Sequence, residues 1–150
     1  MAFQRVPQFA SASGNARRLR ILVVEDDPII ALGLEALVAD LGHSVVSTAD
    51  TAEDAVDAAA LHRPDLVLMD VNLRGKRDGV SAAREIKEQF GTPVMFLTAY
   101  SDRETMDRVT EVAPLGVVSK PVFRDRLQSA LLGATDRLAQ AAPHSRRVTA

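Results

Sequence analysis

A chain of 150 residues with 47% hydrophobic content is long enough to bury one good core and short for two domains. A formal charge of −2 gives no electrostatic reason for a nucleic-acid or acidic-lipid partner, and the absence of cysteine removes disulfides, thiol nucleophiles and thiolate zinc sites. The apolar runs are too short to span a bilayer, the N-terminus lacks the hydrophobic stretch of a signal peptide, and His43, His62 and His144 lack ligand spacing, so a cytoplasmic protein is expected.

Residues 1–19 contain Pro7, Ser11, Ser13 and Gly14 among scattered arginines, show no period, and read as a flexible N-terminal arm. From Arg20 the pattern becomes regular. Ile21-Leu22-Val23-Val24 is a β-branched run too short for a helix and reads as a buried strand. Asp27-Pro28 then supplies an N-cap and a first-turn proline, and Ile29, Ile30, Leu32, Leu34, Leu37, Val38 and Leu41 are expected to form the buried face of a helix that Gly42 stops. Val45-Val46 is a second short strand, followed by an alanine-rich helix from about Thr51 to Leu61. Pro64 separates this helix from the third strand, Leu66 to Met69, and the loop Gly75 to Gly79 leads into a helix through Ala82, Ala83, Ile86 and Phe90. Pro93 precedes a fourth strand, Val94 to Leu97; a polar helix from about Asp102 to Ala113 ends at Pro114. Val117-Val118 is a short last strand, and a final helix runs from about Phe123 to Ala139. Five strands alternating with five helices imply a parallel sheet covered on both faces, because parallel strands need helical crossovers. The domain is expected over residues 20–140, with a flexible tail at 141–150 too short to hold an output domain, for which about 50 residues are needed. Arg146-Arg147 is too small a basic patch to propose DNA binding.

Open parallel sheets place their functional groups at the carboxyl ends of the strands. Strand one delivers Glu25 and Asp26 there, strand three Asp70, strand four Thr98 and strand five Lys120. Each has a plain reading when taken singly: acids at a helix N-terminus, a turn residue, a strand-end hydroxyl, a solvated ammonium. Together they require a coincidence at every strand end. Three carboxylates in one crevice repel, so at least one pKa should rise, and a divalent cation relieves the repulsion. Hard oxygen donors without imidazole or thiolate favour Mg²⁺, with Mn²⁺ as the alternative. With the metal and Lys120 bound, the pocket can accept an anion such as a phosphoryl group, and Asp70 is able to attack phosphorus as a carboxylate nucleophile.

The motifs Val23-Val24-Glu25-Asp26-Asp27-Pro28, Leu68-Met69-Asp70-Val71-Asn72-Leu73, Asp78-Gly79, Phe96-Leu97-Thr98-Ala99 and Ser119-Lys120-Pro121 resemble the receiver domain of two-component response regulators. The intervals agree along the match: 44 residues from Asp26 to Asp70, 28 from there to Thr98 and 22 more to Lys120. The resemblance implies a flavodoxin-like, doubly wound five-stranded parallel sheet in the order 2-1-3-4-5 with five helices. It implies Asp70 as phosphoacceptor, Thr98 and Lys120 as phosphoryl-contacting groups, and Mg²⁺ held by Glu25, Asp26, Asp70 and the backbone carbonyl of Asn72. Asp27 stays a helix cap. A cis Lys120-Pro121 peptide is typical of the family. The implied partners are a sensor histidine kinase or histidine phosphotransfer protein, and a downstream protein target meeting the face of helix four, strand five and helix five. A homodimer is left open. The only enzymatic work implied is the protein's own phosphorylation and dephosphorylation.

The chain departs from the family pattern at two places, Val117 and Arg74. Receivers usually carry an aromatic residue three positions before the lysine, and here Val117 stands there, which puts the usual switch coupling in doubt. Tyr100, two residues after Thr98, is the only tyrosine and reads as a pocket gate or as a plain loop aromatic. Arg74, where proline is common, is placed to approach the phosphoryl group, a partner or solvent. Two other classes compete with a signalling switch: an aspartyl-nucleophile phosphatase, which commonly has a second acid where this chain has Asn72, and a degenerate receiver used as a docking scaffold.

Overall fold

The computed structural model describes residues 18–99 and 102–149, with side chains described up to Ala141. The expected arm up to residue 17, and Tyr100, therefore lie outside the described residues. Five strands, β1 (Arg20–Val24), β2 (Ser44–Ala49), β3 (Leu66–Asp70), β4 (Val94–Thr98) and β5 (Gly116–Ser119), alternate with five helices. These are α1 (Pro28–Asp40), α2 (Ala52–His62), α3 (Gly79–Phe90), α4 (Arg103–Val112) and α5 (Arg124–Thr149). All strand pairs are parallel and the sheet order is β2-β1-β3-β4-β5, as expected.

Alternation along each strand builds two cores from one sheet, since successive side chains point to opposite faces. Leu22, Val24, Val67, Met69 and Phe96 pack against Ala52, Ala55 and Ala59 of α2, Val80, Ala83 and Ile86 of α3, and Val109 and Val112 of α4. Ile21, Val23, Leu66, Leu68, Met95 and Leu97 pack on the other face against Leu34 and Val38 of α1 and Leu127, Leu131 and Ala134 of α5. The three central strands are buried on both faces, which explains their near-continuous apolar runs.

Four expected boundaries or faces are corrected. Leu19, placed in the arm by its neighbours' composition, is fully buried, and its N–H donates to His43 Nδ1 at 3.0 Å. The buried face of α1 is narrower than the seven apolar positions suggest. Ala31, Leu34 and Val38 line it at helical spacing, whereas Ile29 is 80% and Leu32 66% exposed, because a helix buries only one stripe. Strand β2 extends through Ser47 and Thr48, which an edge strand tolerates since one side and much of its surface meet water. Helix α5 continues past Ala139 to Thr149; Gln140, Ala141 and Ala142 are good helix formers, a propensity that the downstream Pro143 masked in the sequence.

His43 gives a check on the packing at the start of β1. Burial lowers the imidazole pKa below its ordinary 6.5, and the positive charge of Arg18 lowers it further. Because the unfolded chain binds the proton more readily, the stability contributed by neutral His43 is complete above about pH 6.5 and is lost as pH falls toward the folded value. Protonation also removes the acceptor for Leu19 N–H. Urea unfolding across pH 7.5 to 5 should show a shallower loss of stability for His43→Asn than for the parent; equal slopes would contradict the assignment.

Candidate functional site

The parallel register sets the carboxyl ends of β1, β3, β4 and β5 side by side. Val24 pairs with Met69, Asp70 with Leu97, and Thr98 with Ser119, so the residues following or ending these strands converge on one edge. Glu25 and Asp70 are almost completely buried, Asp26 is partly buried, and one carboxylate oxygen from each of the three lies within 4.8 Å of the others. Lys120 is set at the pocket by a backbone link, its N–H donating to the Thr98 carbonyl at 2.7 Å, and it precedes a cis bond to Pro121. Its ammonium spans two of the carboxylates, at 2.9 Å from Glu25 Oε1 and 3.1 Å from Asp70 Oδ2.

Each acid also has one oxygen that accepts from a backbone N–H. Asp27 N–H donates to Glu25 Oε2 at 3.2 Å, and Asn72 N–H donates to Asp70 Oδ1 at 3.0 Å. Asp26 Oδ2 accepts from the N–H of Arg74 at 3.1 Å and forms an ion pair with its guanidinium, Nε lying 3.2 Å away. Asp27 itself points away from the carboxylates in function: its Oδ1 caps α1 by accepting from Ile29 and Ile30 N–H. Thr98 ends β4 next to this cluster and is buried.

Electrostatics follow from this crowding. Burial lifts the Glu25 carboxyl above its usual range; the Lys120 hydrogen bond pulls it back and the Asp70 charge pushes it up again. Burial alone would lower the Lys120 ammonium, but the hydrogen bond to Glu25 and the charge of Asp70 outweigh it and hold the group above its ordinary value. The expected rise of one carboxylate is thus found at Glu25. As a donor set for a cation the cluster is all oxygen, anionic and partly open through Asp26, which suits a hard divalent ion that keeps some water.

Beneath Asp70 the chain is tightly fitted. Gly79 N–H donates to the Val71 carbonyl at 2.9 Å, and a Cβ at residue 79 would lie 1.9 Å from the Asp70 carbonyl oxygen. Only glycine permits α3 to begin this close to β3. The residue before it, Asp78, caps α3 by accepting from Ser81 N–H and is gripped on both oxygens by Arg108 of α4, at 2.7 and 3.1 Å. Burial would raise the Asp78 carboxyl, yet the Arg108 hydrogen bond and the capping N–H groups hold it below its usual range. At the C-terminal end of α4, Lys87 Nζ of α3 donates to the carbonyls of Val112 and Ala113. Helix α4 is therefore tied to α3 from its middle, at Arg108, and at its C-terminal end. No local sequence signal announces these ties, because the partners lie 25 to 30 residues apart. Val117, at the position where an aromatic was expected, is 43% exposed on β5.

A family model described as the response regulator receiver domain matches residues 21–132. The chain belongs to this family. Transcriptional regulatory protein PdtaR of Mycobacterium tuberculosis is 36% identical over 102 residues, which are 68% of this chain and 49% of PdtaR. The chain thus spans about half the length of that curated relative. Among solved structures, the signal receiver domain of a modulated diguanylate cyclase from Desulfovibrio desulfuricans superposes with a TM-score of 0.76 at 34% identity, covering 81% of this chain and 96% of the other. Anti-anti-sigma factor PhyR from Bartonella quintana gives a TM-score of 0.72 at 28% identity, covering 97% of this chain and 58% of that one. Receiver domains of two-component systems are signalling modules, and no helix among the described residues is long and apolar enough to cross a membrane.

The fit at Gly79 carries a direct test. Gly79→Ala forces backbone to shift under Asp70 and should cost about 3 kcal/mol, the upper range of overpacking effects, read as a lower urea midpoint at unchanged slope. A midpoint equal to the parent's would show that α3 is not pressed against β3.

Proposed function

We propose that this receiver accepts a phosphoryl group on Asp70 from a histidine kinase or histidine phosphotransfer protein, and that the modification changes which protein it binds. The observation that supports this most is the position of Lys120, 95 residues from Glu25 in the chain and yet within ion-pair distance of both Glu25 and Asp70. A buried carboxylate held by a lysine and flanked by two further acids is a poor stabilising device, because burying ions costs more than most geometries return. It is a good phosphoacceptor. One Asp70 oxygen forms a bond to phosphorus while the phosphorus–nitrogen bond of the donor imidazole breaks, and the imidazole departs with its electron pair and takes a proton. Lys120 then pairs with a phosphoryl oxygen, and the Thr98 hydroxyl hydrogen-bonds another. Glu25, Asp26, Asp70 and the Asn72 carbonyl hold Mg²⁺, with Mn²⁺ able to substitute, and the bound cation supplies positive charge to the transferring oxygens.

Chemical work by the chain is limited to its own phosphorylation and hydrolysis, and its place is the cytoplasm. Downstream binding uses the face of α4, β5 and α5. The similarity to an anti-anti-sigma factor, whose name describes a protein-binding role, favours a protein target. With Val117 on β5 and α4 tied to Asp78, the change at Asp70 reaches α4 through α3 and the Asp78–Arg108 pair in place of an aromatic on β5.

Incubation with Mg²⁺ and a small phosphodonor should add one acid-stable, base-labile acyl phosphate, detectable by mass. Chelation of the metal and Asp70→Asn should each abolish it. Labelling that persists in Asp70→Asn would overturn the assignment of the phosphoacceptor.

A further inference from the structure

Asp26 is the one acid of the cluster whose partner is a solvent-exposed side chain. Arg74 approaches Asp26 Oδ2 twice, its backbone N–H as a hydrogen-bond donor and its guanidinium Nε as an ion-pair partner. The arginine side chain is 82% exposed, against 17% for Lys120, which serves Glu25 and Asp70. Among the described residues, three carboxylates are thus matched by two side-chain cations of different character, one built into the pocket and one laid across its mouth. A guanidinium on Asp26 Oδ2 and a divalent ion on the same carboxylate repel one another, since each brings positive charge to the same small group. The exposed pair is also the easier of the two to open, as solvent screens it and the arginine stem is free to turn into water. Opening it leaves the Arg74 N–H in place, so Asp26 keeps its orientation when the side chain departs.

We propose that Arg74 is a resident counter-ion of the acidic pocket, which competes with the divalent cation for Asp26 and so sets the pocket's cation affinity. The inference rests on the reading of Glu25, Asp26 and Asp70 as cation ligands. Uptake of the ion expels the guanidinium from Asp26 and leaves a mobile positive charge at the rim where the phosphoryl donor arrives. Arg74 acts through Asp26 as a positioning residue.

The test is calorimetric titration of the full, unphosphorylated chain with Mg²⁺ at low ionic strength, with thermal melts confirming that each variant folds. Arg74→Gln should bind Mg²⁺ about two- to fivefold more tightly than the parent, the range expected for loss of one exposed competing ion pair. Arg77→Gln removes the same charge three residues away, from a side chain that pairs with Glu85 instead, and should leave the affinity near the parent value. Equal or weaker binding by Arg74→Gln, or equal tightening by Arg77→Gln, would overturn the proposal. If the parent binds Mg²⁺ and Asp26→Asn does not, while Arg74→Gln matches the parent, only the role of Arg74 falls. If neither the parent nor Arg74→Gln takes up the ion, the cation reading falls with it.

Discussion

Two nearly buried carboxylates cannot both stay ionised side by side in a protein interior unless positive charge lies between them, and in this fold that charge is the ammonium of Lys120. Each of the three groups comes from a different strand end, so their contact is available only when β1, β3 and β5 occupy one sheet in one register. The interaction and the topology presuppose one another. Removing the lysine would leave like charges desolvated and unpaired, the costly half of a buried ion pair. Scrambling the sheet order would separate the charges altogether.

The architecture was legible because several independent signals agreed. Continuous apolar runs marked β1, β3 and β4, while Asp27-Pro28 marked the start of α1 and is found capping it through two N–H groups. Gly42 does follow the end of α1, with the positive φ that a helix stop of this kind uses. The weaker readings failed where composition was allowed to stand in for burial. Leu19 sits next to a polar, irregular segment and is nonetheless part of the core. Ile29 and Leu32 are apolar and yet face outward, since hydrophobic character says nothing of which side of a helix a residue occupies when nearly every position is apolar.

The site divides along a similar line. Glu25, Asp26, Asp70, Thr98 and Lys120 could be gathered from strand-end positions alone, and the structure brings them to one edge. The residues around them could not. The hold of Arg74 on Asp26 depends on how the β3–α3 loop turns back over the pocket, and the grip of Arg108 on Asp78 depends on how two helices cross on the sheet. Loop direction and helix placement are tertiary facts that no periodicity encodes.

The meeting of Gly79 with the Asp70 carbonyl has a mechanical consequence. Backbone lies against backbone where Gly79 meets that carbonyl, with no compressible side chain between, so the end of β3 and the first turn of α3 cannot slide past one another. Asp78, held by Arg108 of α4, is carried on the same joint. The contact thus works as a rivet, fixing which parts of the domain travel together before a binding partner has arrived.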